Sequence, residues 1–165
     1  MTIAAVGGLL TATNGATPVS LVNALLLAEE RGIRVGHRVG AAEPGFAATV
    51  GVRVDTARGR TRVMGALAPG RDGRVIRIDD FPVDIVPEGW LLVIRNRDVP
   101  GVIGRVGTLL GDARVNIGSY HQARRAGGGE ALAAIAVDQA VDDAVLNALV
   151  KLPDVLSVRL VRFDE

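Results

Sequence analysis

The chain has 165 residues, enough for one medium or two small domains. It is 48% hydrophobic but only 3% aromatic, so its core must be built from Val, Leu, Ile and Ala. Nineteen cationic side chains, all arginine except Lys151, meet 18 acidic ones for a net charge of +1. Nucleic-acid binders carry a larger basic excess with aromatic stacking residues, so no nucleic-acid partner is expected. Cysteine is absent, which excludes disulfides, thiolate metal sites and Cys nucleophiles. No run approaches the roughly 18 apolar residues that span a membrane. The apolar start lacks the basic residues of a signal peptide. A cytoplasmic protein away from membranes is expected.

Residues 6–10 are a short apolar run, stopped by the turn-rich Thr13-Asn14-Gly15-Ala16-Thr17-Pro18. Helical spacing through Leu21, Ala24, Leu25 and Ala28 predicts a helix over 21–31, closed by Gly32. The period then changes to two. Strands are predicted over 33–39, 47–54, 60–68 and 74–78, separated by Gly, Pro and Asp turns. This half, residues 1–86, reads as an α+β domain with mixed or antiparallel strands.

Beyond Pro87-Glu88-Gly89 the pattern is regular, and residues 87–165 read as a second domain. A strand over 90–94 is apolar on both faces, with Trp90, Leu92 and Ile94 on one side and Leu91 and Val93 on the other, so it is central and covered twice. Val99, Val102, Ile103, Val106, Leu110 and Ala113 form one helical stripe. Strands over 115–124 and 130–138 are joined by Gly127-Gly128-Gly129. A second helix runs through Val141, Ala144, Val145, Ala148, Leu149 and Leu152, and a last strand covers 155–163. The order βαββαβ is the ferredoxin-like arrangement, with both helices on one face of a four-stranded sheet. The other face needs a cover, either the first half or a second subunit, and a dimer is expected.

The candidate chemistry lies in Asn96-Arg97-Asp98-Val99-Pro100-Gly101, at a strand-to-helix junction. Asp98 stands where an N-cap belongs, and Pro100 falls in the first turn, where it loses no helical hydrogen bond. One reading is that Asp98 only caps the helix. The other is that Asn96 and Asp98 face a crevice. There a carboxylate pairs with an α-ammonium, while N–H groups at the helix start take an α-carboxylate, as a zwitterionic amino acid requires.

The run from Asn96 to Gly111, followed by Val115-Asn116-Ile117, resembles the ACT domain of the D-3-phosphoglycerate dehydrogenase family. Upstream, Val22-Asn23-Ala24 and residues 26–33 are similar to the allosteric substrate-binding (intervening) domain of its long bacterial forms, and Asp84 with Pro87-Glu88-Gly89 matches the junction. The resemblance implies an allosteric substrate-binding domain over 1–86, missing its first strand, and a ferredoxin-like ACT domain over 87–165. It implies no catalytic or nucleotide-binding domain, hence no enzyme by itself. ACT domains of that family pair edge to edge and bind L-serine between them as feedback inhibitor of serine biosynthesis. By motif position the ligand residues would be Asn96, Asp98 and Asn116, with Asp98 on the ammonium and Asn116 bonding across the interface. Gly101 and Gly104 would admit the ligand to the backbone; close helix packing explains Gly104 and Gly107 equally well. Arg74 matches a phosphate or anion contact of the intervening domain, while Val86 and Ala136 stand where some relatives carry Arg.

No cofactor is expected, because the chain lacks the Gly-rich dinucleotide fingerprint. His37 and His121 have no partner at metal-ligand or triad spacing, so no metal is expected; His121 could border the ligand pocket. Arg53, Arg58, Arg60 and Arg62 read as a solvated basic hairpin. Two alternatives stand beside a homodimeric serine sensor. One is an oligomerisation piece without ligand. The other is a subunit serving a separate catalytic chain, of dehydrogenase or serine dehydratase type.

Overall fold

The computed structural model describes residues 1–13, 18–57, 59–67, 73–125 and 128–163. The predicted turn at 14–17, Arg58 of the basic hairpin and Gly127 lie outside the described residues. The chain falls into two compact units, Met1–Ala42 and Glu43–Glu165.

The first unit is helical. The apolar run at 6–10 belongs to a longer helix, α1 (Thr2–Thr13), and the second helix is shorter than its periodicity suggests, α2 (Ala24–Glu30). Asn23 delays its start: its Oδ1 accepts from Ser20 N (2.7 Å) and its Nδ2 donates to Pro18 O (2.9 Å), bonds that hold a turn rather than a helix. Val6, Leu10, Ala24 and Ala28 form the buried contact between the helices. Gly32, at φ +67°, ends α2 with its N–H on Glu29 O, and Ile33 N donates back to Ala28 O. The strand expected over 33–39 is absent; this stretch is irregular, with Val35 exposed. Its alternation lacks a neighbouring strand, and residues 34–39 are exposed, so an extended conformation would bury no side chains there.

The second unit contains two four-stranded antiparallel sheets. The first runs in sequence order through β1 (Thr49–Thr56), β2 (Gly59–Leu67), β3 (Gly73–Ile78) and β4 (Phe81–Ile85). Asp79-Asp80 makes the tight turn between β3 and β4, with Asp79 at φ +51° and its Oδ1 accepting from Arg62 N at 2.9 Å. The second sheet has the order β6-β7-β5-β8, built from β5 (Gly89–Arg97), β6 (Ile117–Arg124), β7 (Glu130–Val137) and β8 (Val155–Phe163). Helices α3 (Val102–Asp112) and α4 (Asp143–Val150) complete the expected βαββαβ chain order. The α+β class and ferredoxin-like arrangement read from the sequence are therefore the observed ones.

Both faces of this second sheet are covered. On one, Leu92, Ile94, Ala133, Ile135 and Val158 pack with Val102, Val106 and Leu110 of α3 and Leu149 of α4. On the other, Leu91, Ala123, Leu132 and Ala134 meet Phe81, Val83 and Ile85 of β4. Of the two covers expected for this face, the first half supplies it, through β3 and β4. Phe81 is fully buried at that seam, with the guanidinium groups of Arg95 and Arg125 at 5.7 and 5.9 Å from its ring centroid. Arg125 also donates to Asp80 (3.0 Å).

Candidate functional site

The end of β5, the loop 98–101 and the start of α3 form one cluster with the end of β6 and the start of β7. Alternation along β5 turns Leu92, Ile94 and Asn96 toward the helices. Asn96 is 1% exposed, the one buried polar residue among those described. Its Nδ2 donates to Arg97 O (2.6 Å), while its Oδ1 is enclosed without a partner. Arg97 N donates to Asp154 O (2.8 Å), which ties β5 to the turn before β8.

Asp98 is not a helix cap. Its N–H donates to Gly129 O (3.2 Å), and its carboxylate meets Arg124 Nε at 3.3 Å. Gly101 takes the N-cap position of α3 in a left-handed conformation, φ +89°, with no side-chain cap. The helix therefore starts one residue after the glycine, and Pro100 precedes it rather than occupying its first turn. The first N–H groups of α3 lack intrahelical acceptors and carry the positive end of the helix dipole. Asp98, 20% exposed, stands just ahead of them.

A Cβ added at Gly101 would lie 3.0 Å from Arg105 Nη1. Arg105, a residue the motif reading passed over, folds back from the next turn to Asp154 Oδ2 (3.2 Å) and Pro153 O (3.3 Å). Its Nε is enclosed without a partner. A Cβ at Gly104 or Gly107 would meet nothing within 4 Å, so packing inside the chain does not require glycine at either place.

Asn116 is not brought to this cluster. It precedes β6, and its Nδ2 donates to Asp138 Oδ2 (2.6 Å) beyond the end of β7. Arg124 closes the opposite end of β6. Asn116 and Arg124 are eight positions apart, which at the rise of a strand is roughly 25 Å. In one chain, Asn96, Asp98, Gly101 and Gly104 gather at one end of the sheet and Asn116 stands at the other.

Tyr120, half-buried on the helix face of β6, has its phenol pKa raised by burial. His121 shares the opposite face with Ala123, so it borders the seam between the sheets rather than the cluster. Arg74 lies in the first sheet. Its guanidinium is engaged by Asp84 (2.7 Å) in a groove that Phe46, Arg77 and Pro82 also line. Arg53 and Arg60 both converge on Asp55, whose carboxyl is held below its ordinary pKa chiefly by the Arg60 hydrogen bond. The basic hairpin is thus internally paired at these positions. No cluster of metal-ligating side chains occurs among the described residues. No described helix is long and apolar enough to cross a membrane.

The ACT domain family model matches residues 90–154, which hold β5, α3, β6, β7, α4 and the Asp98 loop. The chain carries an ACT domain. The model of the D-3-phosphoglycerate dehydrogenase intervening domain matches residues 1–79. Over 143 residues the chain is 35% identical to the D-3-phosphoglycerate dehydrogenase of Bacillus subtilis, covering 87% of this chain and 27% of that protein. The enzyme of the same name from Synechocystis is 33% identical over 134 residues, 81% of this chain and 24% of the relative. That from Mycobacterium leprae is 34% identical over 134 residues, 80% and 25%. The chain thus spans about a quarter of the length of these relatives and resembles their C-terminal region.

Proposed function

We propose that this chain is a regulatory module that binds a small amino acid, L-serine first among candidates, between the ACT domains of two copies. In this reading residues 1–86 are of the allosteric substrate-binding type and the ACT part begins near residue 87. One observation carries it: the Asp98 carboxylate and the unpaired N–H groups opening α3 stand together beside the end of an edge strand, β6. The acid suits an α-ammonium, and the helix start suits an α-carboxylate.

The distance between Asp98 and Asn116 favours two copies. If β6 pairs with β6 of a second copy about a two-fold axis, the strands run antiparallel. The start of one then lies beside the end of the other. Asn116 of the partner subunit thereby reaches the Asp98 end, and the same holds at the symmetry-related site. The apolar face that first argued for a dimer is covered by β3 and β4, so the dimer rests on this division of the site.

The named relatives are dehydrogenases about four times as long, so the proposed target of regulation is a catalytic dehydrogenase chain in serine biosynthesis, in the cytoplasm. Ligand binding would bias the arrangement of domains, which requires two states of different ligand affinity. Arg74 with Arg77 is proposed as a second, anion-binding contact in the groove of the first sheet, where an anion would compete with Asp84 for Arg74.

Isothermal titration calorimetry against L-serine, with glycine, L-alanine and D-serine as controls, tests the reading. Saturable binding selective for L-serine is expected, weakened by about 1–3 kcal/mol in Asp98→Asn, the scale of a lost charge-assisted contact. A folded chain that gives no heat with any amino acid would be an oligomerisation piece instead.

A further inference from the structure

Asp98 already has a cation. Arg124 Nε lies 3.3 Å from its Oδ1, and the two side chains differ sharply in exposure, 72% for Arg124 against 20% for Asp98. The acid is held in place by its loop, with its own N–H on Gly129 O. The arginine is a solvated arm at the end of an edge strand. An ion pair of this kind contributes little to stability and opens readily in water.

A zwitterionic amino acid carries the complement of both groups within a few bond lengths. Its ammonium replaces the guanidinium on Asp98, and its carboxylate then lies beside the guanidinium it has displaced. We infer that Arg124 is a ligand residue: the Asp98–Arg124 pair opens to admit the amino acid, and Arg124 closes on its α-carboxylate. This rests on the amino-acid-binding reading above and adds a requirement to it, a free carboxylate on the ligand. Arginine suits the task because its planar fork matches two carboxylate oxygens and stays charged at all working pH values. The arrangement is cheap to open, because each charged group exchanges one opposite charge for another.

Alternation along β6 supports the assignment. Tyr120 packs on the helix face and Ala123 on the seam face, so Arg124 points to the side of α3, while Arg125 points to the seam and holds Asp80. The two consecutive arginines therefore have separate tasks.

The test titrates the full chain and its Arg124→Gln variant with L-serine and with L-serinamide, which keeps the ammonium and replaces the carboxylate by an amide. The wild type should bind L-serine at least about tenfold more tightly than L-serinamide, as expected for a charge-assisted bidentate contact. Arg124→Gln should weaken L-serine about tenfold and leave L-serinamide no weaker, since the amide loses only a competitor for Asp98, so that the preference for the acid disappears. Arg124→Gln that binds L-serine equally or more tightly would make Arg124 a bystander or a mere competitor for Asp98; it overturns this inference while the amino-acid reading stands. A wild type that binds neither compound overturns both. Arg124 is exposed, so circular dichroism should show both proteins folded alike.

Discussion

Gly101 has a structural duty separate from any ligand. At φ +89° its backbone lies where an L side chain is strained, and a Cβ there would press on Arg105 Nη1 at 3.0 Å. Gly101→Ala should cost roughly 1–2 kcal/mol, the scale of forcing a side chain into a left-handed conformation. Chemical denaturation would show this as a lower midpoint at unchanged slope, whereas an unchanged midpoint would mean that the 98–101 loop relaxes without cost. The sequence announces the glycine but not its reason. Composition and spacing favour Asp98 as a helix cap over a site residue; the left-handed Gly101 decides against the cap by starting α3 three residues later. Arg124 and Arg105 were not legible in this way. Arg124 approaches Asp98 from 26 positions further along the chain, and Arg105 approaches Asp154 from 49 positions before it, contacts that no local pattern encodes.

Among the elements, those with a strong period and a local reason to stop were readable, and those needing a distant partner were not. Helix α4 is an instance of the first kind. Asp142, in an extended conformation, accepts from Val145 N (2.8 Å), and Asp143 adds acid to the first turn. Asp142→Ala should cost about 1 kcal/mol, the ordinary value of an N-cap, and lower the thermal midpoint by a few degrees in calorimetry. Strand β4 is of the second kind. Phe81-Pro82-Val83-Asp84-Ile85 alternates cleanly in burial, yet it is five residues long and contains a proline, which argues locally against a strand. It becomes one because Phe81, Val83 and Ile85 bury against Leu91 and Leu132 of the second sheet. The stretch 33–39 has the converse history: its alternation is as good as that of β4, but no strand lies beside it and it stays irregular.

At the scale of the whole molecule, the seam between the two sheets couples the parts that the family comparisons divide. Phe81 is its largest buried side chain, set between the apolar face of the ACT sheet and two guanidinium groups. Phe81→Ala should destabilise the second unit by about 3–5 kcal/mol, the cost of emptying an aromatic site in a core. Hydrogen exchange should then rise in β4 and in β7 together, since both lose the same contact; a rise confined to β4 would show that the ACT sheet keeps its cover by other means. The Arg125–Asp80 bond at the edge of that seam is exposed, so Asp80→Asn should change stability by less than about 1 kcal/mol.

The length of β6 has a consequence for dose. Asp98 and Asn116 lie at opposite ends of that strand, so the proposed pairing gives every dimer two binding sites, each assembled half from one copy and half from the other. An isolated protomer then holds two half-sites and no whole one. Ligand and protomer association become linked through mass action: amino acid draws protomers together, and dilution of the protein lowers its apparent affinity for the amino acid even at fixed ligand concentration.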